Sequence, residues 1–135
     1  MKKIVLSSLI LLQLSGCAFI DAYFMAKYDT TEYALVNEIK TKSQVAIENC
    51  ENQLMVTTQV NELYIKSLEF KNFTTHIPRN KEAEELSNKL YLLTKDTRDY
   101  FNKADKISTL FCKAKLQQIV TSADTIQHAL GNKPR

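Results

Sequence analysis

The sequence is poor in the residues that form turns. Its 135 residues include two glycines (Gly16 and Gly131), two prolines (Pro78 and Pro134) and no tryptophan. A β-rich domain of this size needs several turns, and turns draw on clusters of glycine, proline, asparagine and aspartate. Such clusters are missing. The sequence therefore excludes a sandwich or barrel and predicts an all-α fold.

The sequence also has little catalytic or metal-binding chemistry. It holds only two histidines, His76 and His128. A Gly-x-Ser-x-Gly elbow, a glycine-rich phosphate loop and the Cys/His spacing of a zinc site are all missing. Asp124 and His128 stand four residues apart and could share a metal ion, but two ligands do not make a site. We therefore expect no catalytic residue, no metal site and no cofactor, and we do not expect an enzyme.

Residues 1–17 have a pattern that differs from the rest of the chain. Two lysines, Lys2 and Lys3, precede an apolar run over residues 4–12, and the segment closes on Leu14-Ser15-Gly16-Cys17. This arrangement resembles the signal peptide and lipobox of bacterial lipoproteins. The resemblance covers residues 1–18. It implies that residues 1–16 are a signal peptide that is removed, and that Cys17 becomes the lipidated first residue.

The same region has an alternative interpretation as an uncleaved membrane anchor. The apolar run is shorter than the roughly 20 residues that a membrane span needs. A longer span would bury Gln13, Gly16 and Asp21, and an acidic group at mid-bilayer costs several kcal/mol. The lipoprotein interpretation is therefore favoured. Ala18 follows the cysteine, which resembles outer-membrane sorting in enterobacteria-like systems, so we expect a protein held on the periplasmic face of the outer membrane by the lipid on Cys17.

The charge of the chain does not indicate an acidic partner. Loss of Lys2 and Lys3 with the leader reduces the 18 basic residues to 16, against 15 acidic ones. A chain so close to neutrality, exported from the cytoplasm, gives no reason to expect a nucleic-acid partner.

Residues 17–28 are predicted to be a lipidated, membrane-proximal tether. The segment is unusually aromatic, with Phe19, Tyr23, Phe24 and Tyr28. Amphipathic rings favour the headgroup zone of a membrane, so the tether could lie at the interface. Packing of the rings against the base of the domain is the other interpretation, and the two are compatible.

Residues 29–135 are predicted to form a helical domain. Apolar residues recur at intervals of three, four and seven, which predicts helices over about 30–73 and 80–130. Asp29 and Asn80 are suitable N-caps, and Pro78 separates the two helices. The sequence therefore predicts an antiparallel hairpin of long helices. Because a lone hairpin buries little surface, we expect either a bend that makes a small helical bundle or self-association.

The two remaining cysteines, Cys50 and Cys112, lie on the inward stripes of the two predicted helices. Export places them in an oxidising compartment, where a disulfide persists. Their register is a difficulty. A hairpin that turns near residues 75–77 places Cys50 opposite residues 102–104, about eight residues or 12 Å from Cys112, beyond disulfide reach. We still expect the Cys50–Cys112 disulfide, which requires the loop to overshoot or one helix to bend.

The part of the hairpin around its loop carries more apolar side chains than one helix seam requires. Such an excess often marks an interaction surface. We expect a partner-binding or self-association surface there, at the end of the hairpin farthest from the lipid. Its residues are Ile65, Phe70, Phe73, Ile77 and Leu92. The alternative is that these side chains form the core of a folded-back tip or of a self-dimer.

Together these observations predict a non-enzymatic protein-interaction or assembly module in the periplasm. Its partner is an unknown periplasmic or envelope protein, or a second copy of the chain. In architecture alone it resembles secretion pilotins, although no pilotin motif is present. One alternative is a phage- or plasmid-type envelope lipoprotein acting in lysis, exclusion or immunity. Another is a structural envelope spacer, for which a clean heptad pattern would be expected.

Overall fold

The computed structural model describes residues 26–135, so the predicted signal peptide, the lipobox with Cys17 and most of the tether lie outside the described residues. The described part is all-helical, with no strand between residues 26 and 135. Its four helices are α1 (Thr30–Glu48), α2 (Gln53–Thr75), α3 (Lys81–Lys103) and α4 (Thr109–Gly131). The predicted all-α class is confirmed. The predicted pair of continuous helices is not found, because each of them is divided in two.

Short polar side chains mark where the helices begin. The carboxylate of Asp29 accepts a hydrogen bond from the backbone N–H of Glu32 at 2.9 Å and so caps α1. Asn52 caps α2 through the N–H of Met55, and Ser108 caps α4 through the N–H of Phe111. Each cap satisfies an N–H group that has no partner within its own helix. The divisions at residues 49–52 and 104–108 therefore need neither glycine nor proline.

The four helices form a bundle in which each helix runs antiparallel to its two neighbours. Contacts between neighbouring helices join residues that lie at a similar distance from one end of the bundle. These pairs are Lys42–Glu62 between α1 and α2, Thr74–Ser87 between α2 and α3, Tyr100–Phe111 between α3 and α4, and Lys40–Asp124 between α1 and α4. The fold of residues 26–135 is thus a four-helix bundle, which agrees with the small helical bundle that was expected as one of two solutions.

The bundle has two different ends. At the near end the chain enters at Ala26, and the N–H of Tyr28 donates to the carbonyl of Pro134 at 2.9 Å. The α2–α3 loop is also at the near end, where Asn80 donates to Glu32 at 2.6 Å. At the far end the side chain of Gln53 binds the α3–α4 loop. The loop predicted to lie farthest from the lipid therefore lies beside the point where the chain enters.

The disulfide joins the α1–α2 turn to the first turn of α4 at the far end. The Sγ atoms of Cys50 and Cys112 are bonded at 2.00 Å, with the two Cα atoms 5.7 Å apart. The expected pairing is thus present in the structure. The register difficulty disappears because α3 begins at Lys81, beyond the assumed turn, and because the chain bends over residues 104–108.

The core lies between the inner faces of all four helices. Its fully buried large side chains include Ile39, Val60, Leu63, Phe70, Leu90, Leu116, Ile119 and Ile126. The seam between α2 and α3 is polar instead: the hydroxyl groups of Ser67 and Thr94 pair with each other, as do those of Thr74 and Ser87. Across residues 26–135, every buried side-chain nitrogen or oxygen atom has a hydrogen-bond partner. The bundle is therefore closed, with its polar groups satisfied.

No helix within residues 26–135 is long and apolar enough to cross a membrane.

Candidate interaction site

The five predicted interface residues do not form one surface. Phe70 is fully buried, because α1 and α4 fold back over the inner faces of α2 and α3. Its assignment as a surface residue is wrong. Phe73 and Ile77 are half-buried near the α2–α3 loop. Ile65 and Leu92 are exposed on the outer faces of α2 and α3. Only these last two remain available to a partner.

Exposed apolar side chains are concentrated at the far end instead. Within the described residues, seven large hydrophobic side chains are exposed, and five of them lie in the helical turn next to this end. The five are Val45, Leu54, Met55, Tyr100 and Leu110. Leu54 and Leu110 each expose 81% of their surface. Both stand in the first turn of a helix, and side chains lean toward the helix N-terminus, which here means toward the far end.

The best-formed part of this end is the α3–α4 corner, which we define as Tyr100, Ala104, Leu110 and Phe111. The rings of Tyr100 and Phe111 lie 4.6 Å apart between centroids, at an angle of 44°. Phe111 packs against the core on its inner side. An open cleft of about 340 Å³ is lined by Tyr100 together with Lys103 and Ala104. The corner therefore offers a rigid aromatic floor beside an exposed leucine.

Cations surround the corner. Lys103, Lys106 and Lys113 are exposed, and none of the ion pairs found within residues 26–135 involves them. The ammonium of Lys115 stands 5.7 Å from the centroid of the Phe111 ring. The exposed Asp105 is the one carboxylate in the α3–α4 loop. The corner is therefore locally basic, although the chain as a whole is close to neutral.

The carboxylate of Asp99, which also lines the cleft, is already occupied. The ammonium of Lys95 donates to it at 2.7 Å, and the guanidinium of Arg98 donates at 2.9 Å and 2.5 Å. These hydrogen bonds, that from Lys95 first, lower the pKa of Asp99 to about 2. A carboxylate that is held by two cations contributes little negative potential to the neighbouring corner.

The opposite side of the far end carries the other sign of charge. Glu48 and Glu51 are exposed in and beside the α1–α2 turn, next to Leu54 and Met55. The far end thus has an acidic side and a basic side, with exposed apolar residues on both. This separation is invisible in the net charge of the sequence.

The near end holds a buried polar cluster of three residues. Glu32 is fully buried and accepts hydrogen bonds from Asn80 and from Lys133, both at 2.6 Å. Lys133 also donates to the amide oxygen of Asn80 at 2.5 Å. The cluster ties α1, the α2–α3 loop and the segment after α4 together. Its groups satisfy one another, which indicates a structural role and leaves none of them free to act on a substrate.

A second polar group lies in the groove between α2 and α3. The ring centroids of Tyr64 and Tyr91 are 5.7 Å apart, the guanidinium carbon of Arg98 lies 3.7 Å from the Tyr64 centroid, and the ammonium of Lys71 lies 4.5 Å from the Tyr91 centroid. The interaction between the two phenol groups lowers the pKa of Tyr64 and raises the pKa of Tyr91. Because cations already cover both rings, these tyrosines offer a partner little free aromatic surface.

The pair considered for metal binding is engaged elsewhere. The Asp124 carboxylate lies 3.8 Å from Nε2 of His128, but it is bound at 2.5 Å by Lys40, and that hydrogen bond lowers the pKa of Asp124. Between residues 26 and 135 the structure brings together no group of three or more His, Cys, Asp or Glu residues that could hold a metal ion.

Sequence reasoning missed the α3–α4 corner, for a reason that can be identified. Treating residues 80–130 as one helix left no corner to find, because the corner exists only where α3 ends at Lys103 and α4 begins at Thr109. The N-cap at Ser108 is the signal that could have divided this helix.

Comparison with known proteins gives no similarity that bears on the site: no protein family, no curated protein and no solved structure matches the chain.

Proposed function

We propose that the chain is a non-enzymatic interaction module of the bacterial cell envelope. In this proposal the lipid on Cys17 holds it on the periplasmic face of the outer membrane, and its far end receives a partner protein. The lipobox-like segment Leu14-Ser15-Gly16-Cys17 supports the tether. The proposal explains why the chain combines an export-type leader with a domain whose buried polar groups are all engaged.

The observation that carries the proposal is that the point where the chain enters and most of the exposed apolar side chains lie at opposite ends of the bundle. The chain enters at Ala26 on the near end, whereas five of the seven exposed large hydrophobic residues lie next to the far end. A tethered protein reaches outward with the end opposite its tether. Large apolar side chains on that end favour a protein contact over simple solvation.

The dimensions of the domain favour an adaptor that presents a binding surface, rather than a spacer that holds two layers of the envelope apart. The longest helices have 23 residues, which at 1.5 Å per residue corresponds to about 35 Å. Folding the hairpin in half shortens it by a factor of about two relative to two continuous helices. A spacer would gain from length, so this fold favours an adaptor.

Site-specific photocrosslinking in the producing cell tests the proposed function. A benzophenone amino acid replaces Leu54 or Leu110 at the far end, and Lys81 or Thr121 as exposed controls near the other end and midway along α4. We expect discrete crosslinked species from the first two positions and none from the controls. Equal crosslinking at all four positions, or none at the far end, contradicts the proposal.

The lipid tether is tested separately by mass spectrometry of the protein purified from the membrane. The membrane form should have its N-terminus at Cys17 and carry acyl chains, and Cys17→Ala should release the protein from the membrane fraction. An intact Met1, or unchanged fractionation of Cys17→Ala, removes the lipid anchor from the proposal.

A further inference from the structure

The α3–α4 corner has features that specify its partner more closely than the far end as a whole. Tyr100 and Phe111 form an aromatic pair, Tyr100 also lines an open cleft, and the exposed Leu110 precedes Phe111 in the first turn of α4. The floor is fixed, because Phe111 packs against the core and the disulfide holds Cys112 next to it. A preorganised apolar floor reduces the entropy lost when a partner side chain binds.

The charged side chains around the aromatic pair indicate the chemistry of a partner that would bind there. Lys103 lines the cleft, Lys106 and Lys113 are exposed nearby, and Lys115 lies over the edge of the aromatic pair. The N-terminus of α4 begins at the same place and adds the positive end of a helix dipole. Asp99 is held by two cations and cannot balance them. The corner therefore presents four ammonium groups and one exposed carboxylate, that of Asp105, around an apolar centre, and its local charge is positive.

We propose that the α3–α4 corner binds an acidic, amphipathic segment of a partner protein. Apolar side chains of the segment contact Tyr100, Leu110 and Phe111, and its carboxylates face the surrounding lysines. This inference rests on the proposed function, in which the far end is the end that meets a partner. It adds the chemistry of that partner and the side of the far end that it occupies.

A second copy of the chain fits the corner less well. Its only exposed acidic residues at the far end are Glu48, Glu51 and Asp105. An end-to-end dimer would also bring together the small ends of two bundles, each roughly 20 Å across, and bury well under the roughly 1,200 Å² of a standard interface. It would direct the two tethers away from each other. A flexible acidic segment avoids both constraints.

The test uses the full lipidated chain in nanodiscs of neutral phosphatidylcholine and three labelled peptides of roughly 16 residues. The first peptide has leucine or phenylalanine at helical i, i+3, i+4, i+7 spacing and glutamate elsewhere. The second keeps the apolar residues and replaces glutamate by lysine, and the third keeps glutamate and replaces the apolar residues by serine. Fluorescence anisotropy should show micromolar binding of the first peptide alone, weakened as salt rises because the charges are exposed.

Matched variants locate the binding. Lys103→Glu with Lys113→Glu should weaken binding of the first peptide by at least about tenfold, since two attractive contacts become repulsive. Lys27→Glu with Lys81→Glu changes the net charge equally at the near end and should leave binding unchanged. Leu110→Ser should weaken binding, whereas Ile65→Ser, at another exposed position, should not. All these side chains are exposed, so the thermal unfolding midpoint is expected to stay constant.

Other occupants give distinct results. If sedimentation shows a dimer that Leu110→Ser dissociates, and the acidic peptide does not bind, the corner is a self-association site and the inference is overturned. Binding of phosphatidylglycerol vesicles that is lost with Lys103→Glu and Lys113→Glu, without binding of the peptide, overturns it as well. If Leu110 crosslinks a protein in cells although the lysine reversals have no effect, the proposed function stands and the acidic partner does not.

Discussion

Replacing Lys133 by methionine measures how strongly the near end of the bundle depends on its buried charges. The ammonium of Lys133 is 2.6 Å from Glu32, and the two side chains are 8% and 0% exposed. Removing one partner of a buried pair leaves an uncompensated charge and typically costs about 3–5 kcal/mol. Asn80 keeps one hydrogen bond to Glu32, so the lower part of that range, about 3 kcal/mol, is expected. Urea unfolding monitored by circular dichroism gives the free energy of unfolding directly.

Two further variants identify the cause. Glu32→Gln combined with Lys133→Met removes both charges and leaves an amide that can pair with Asn80, so it should recover most of the loss. Lys42→Met breaks an exposed pair with Glu62 and should cost no more than about 0.5 kcal/mol. If Lys133→Met is as mild as Lys42→Met, the cluster does not hold the near end together and the reasoning fails.

The other predictions concern the core, the acid range and the disulfide. Phe70→Ala should cost about 3–5 kcal/mol in urea unfolding and Ile65→Ala within about 0.5 kcal/mol of zero, because only the first is buried; similar costs would show that the core is misplaced. The pKa of Asp99 is lowered to about 2 by a neighbouring lysine and arginine, so its stabilising effect is present above about pH 4 and is lost as the pH falls toward 2. Asp99→Asn should therefore flatten the fall of the urea midpoint over that range, and an unchanged slope would contradict the assignment. Replacing Cys50 and Cys112 by alanine should cost about 4 kcal/mol, whereas free thiols at both positions in protein isolated without reductant would exclude the disulfide.

The sequence determined the fold class and the disulfide more reliably than the path of the chain. The scarcity of glycine and proline favoured helices, and residues 26–135 contain no strand; the expectation of an oxidising compartment favoured the pairing of Cys50 with Cys112 that the structure contains. Both arguments depend on composition and compartment. Neither depends on where a helix ends.

The divisions of the helices were missed because the signal was local and weak. Residues 49–52 and 104–108 contain no glycine or proline, and the apolar periodicity continues through both of them. Caps at Asn52 and Ser108 end this continuity, but serine and asparagine also occur within helices on their exposed faces. Whether such a residue caps a new helix or lies within a continuous one is decided by how the inner faces are buried in the tertiary structure, and a single sequence does not contain that information.

The burial of Phe70 was missed for the same reason. An undivided hairpin places Phe70 near an uncovered tip and the α2–α3 loop opposite the tether. Once the hairpin is doubled, Phe70 enters the core, and residues near Cys50 and Cys112 form the outer end. The choice of candidate residues depended on topology, which periodicity along one chain does not fix.

The position of the disulfide also determines how the bundle carries mechanical force. The bond closes a loop that spans a sequence separation of 62 and contains all of α2 and α3. In the proposed arrangement, with a tether before α1 and a partner held near Leu110, tension passes along α1 to Cys50, across the sulfur atoms, and into the first turn of α4. Helices α2 and α3 lie outside this path and cannot be drawn out by it. The oxidised protein can therefore extend only through α1, so its maximum extension under load is shorter than that of the reduced protein by nearly the whole closed loop.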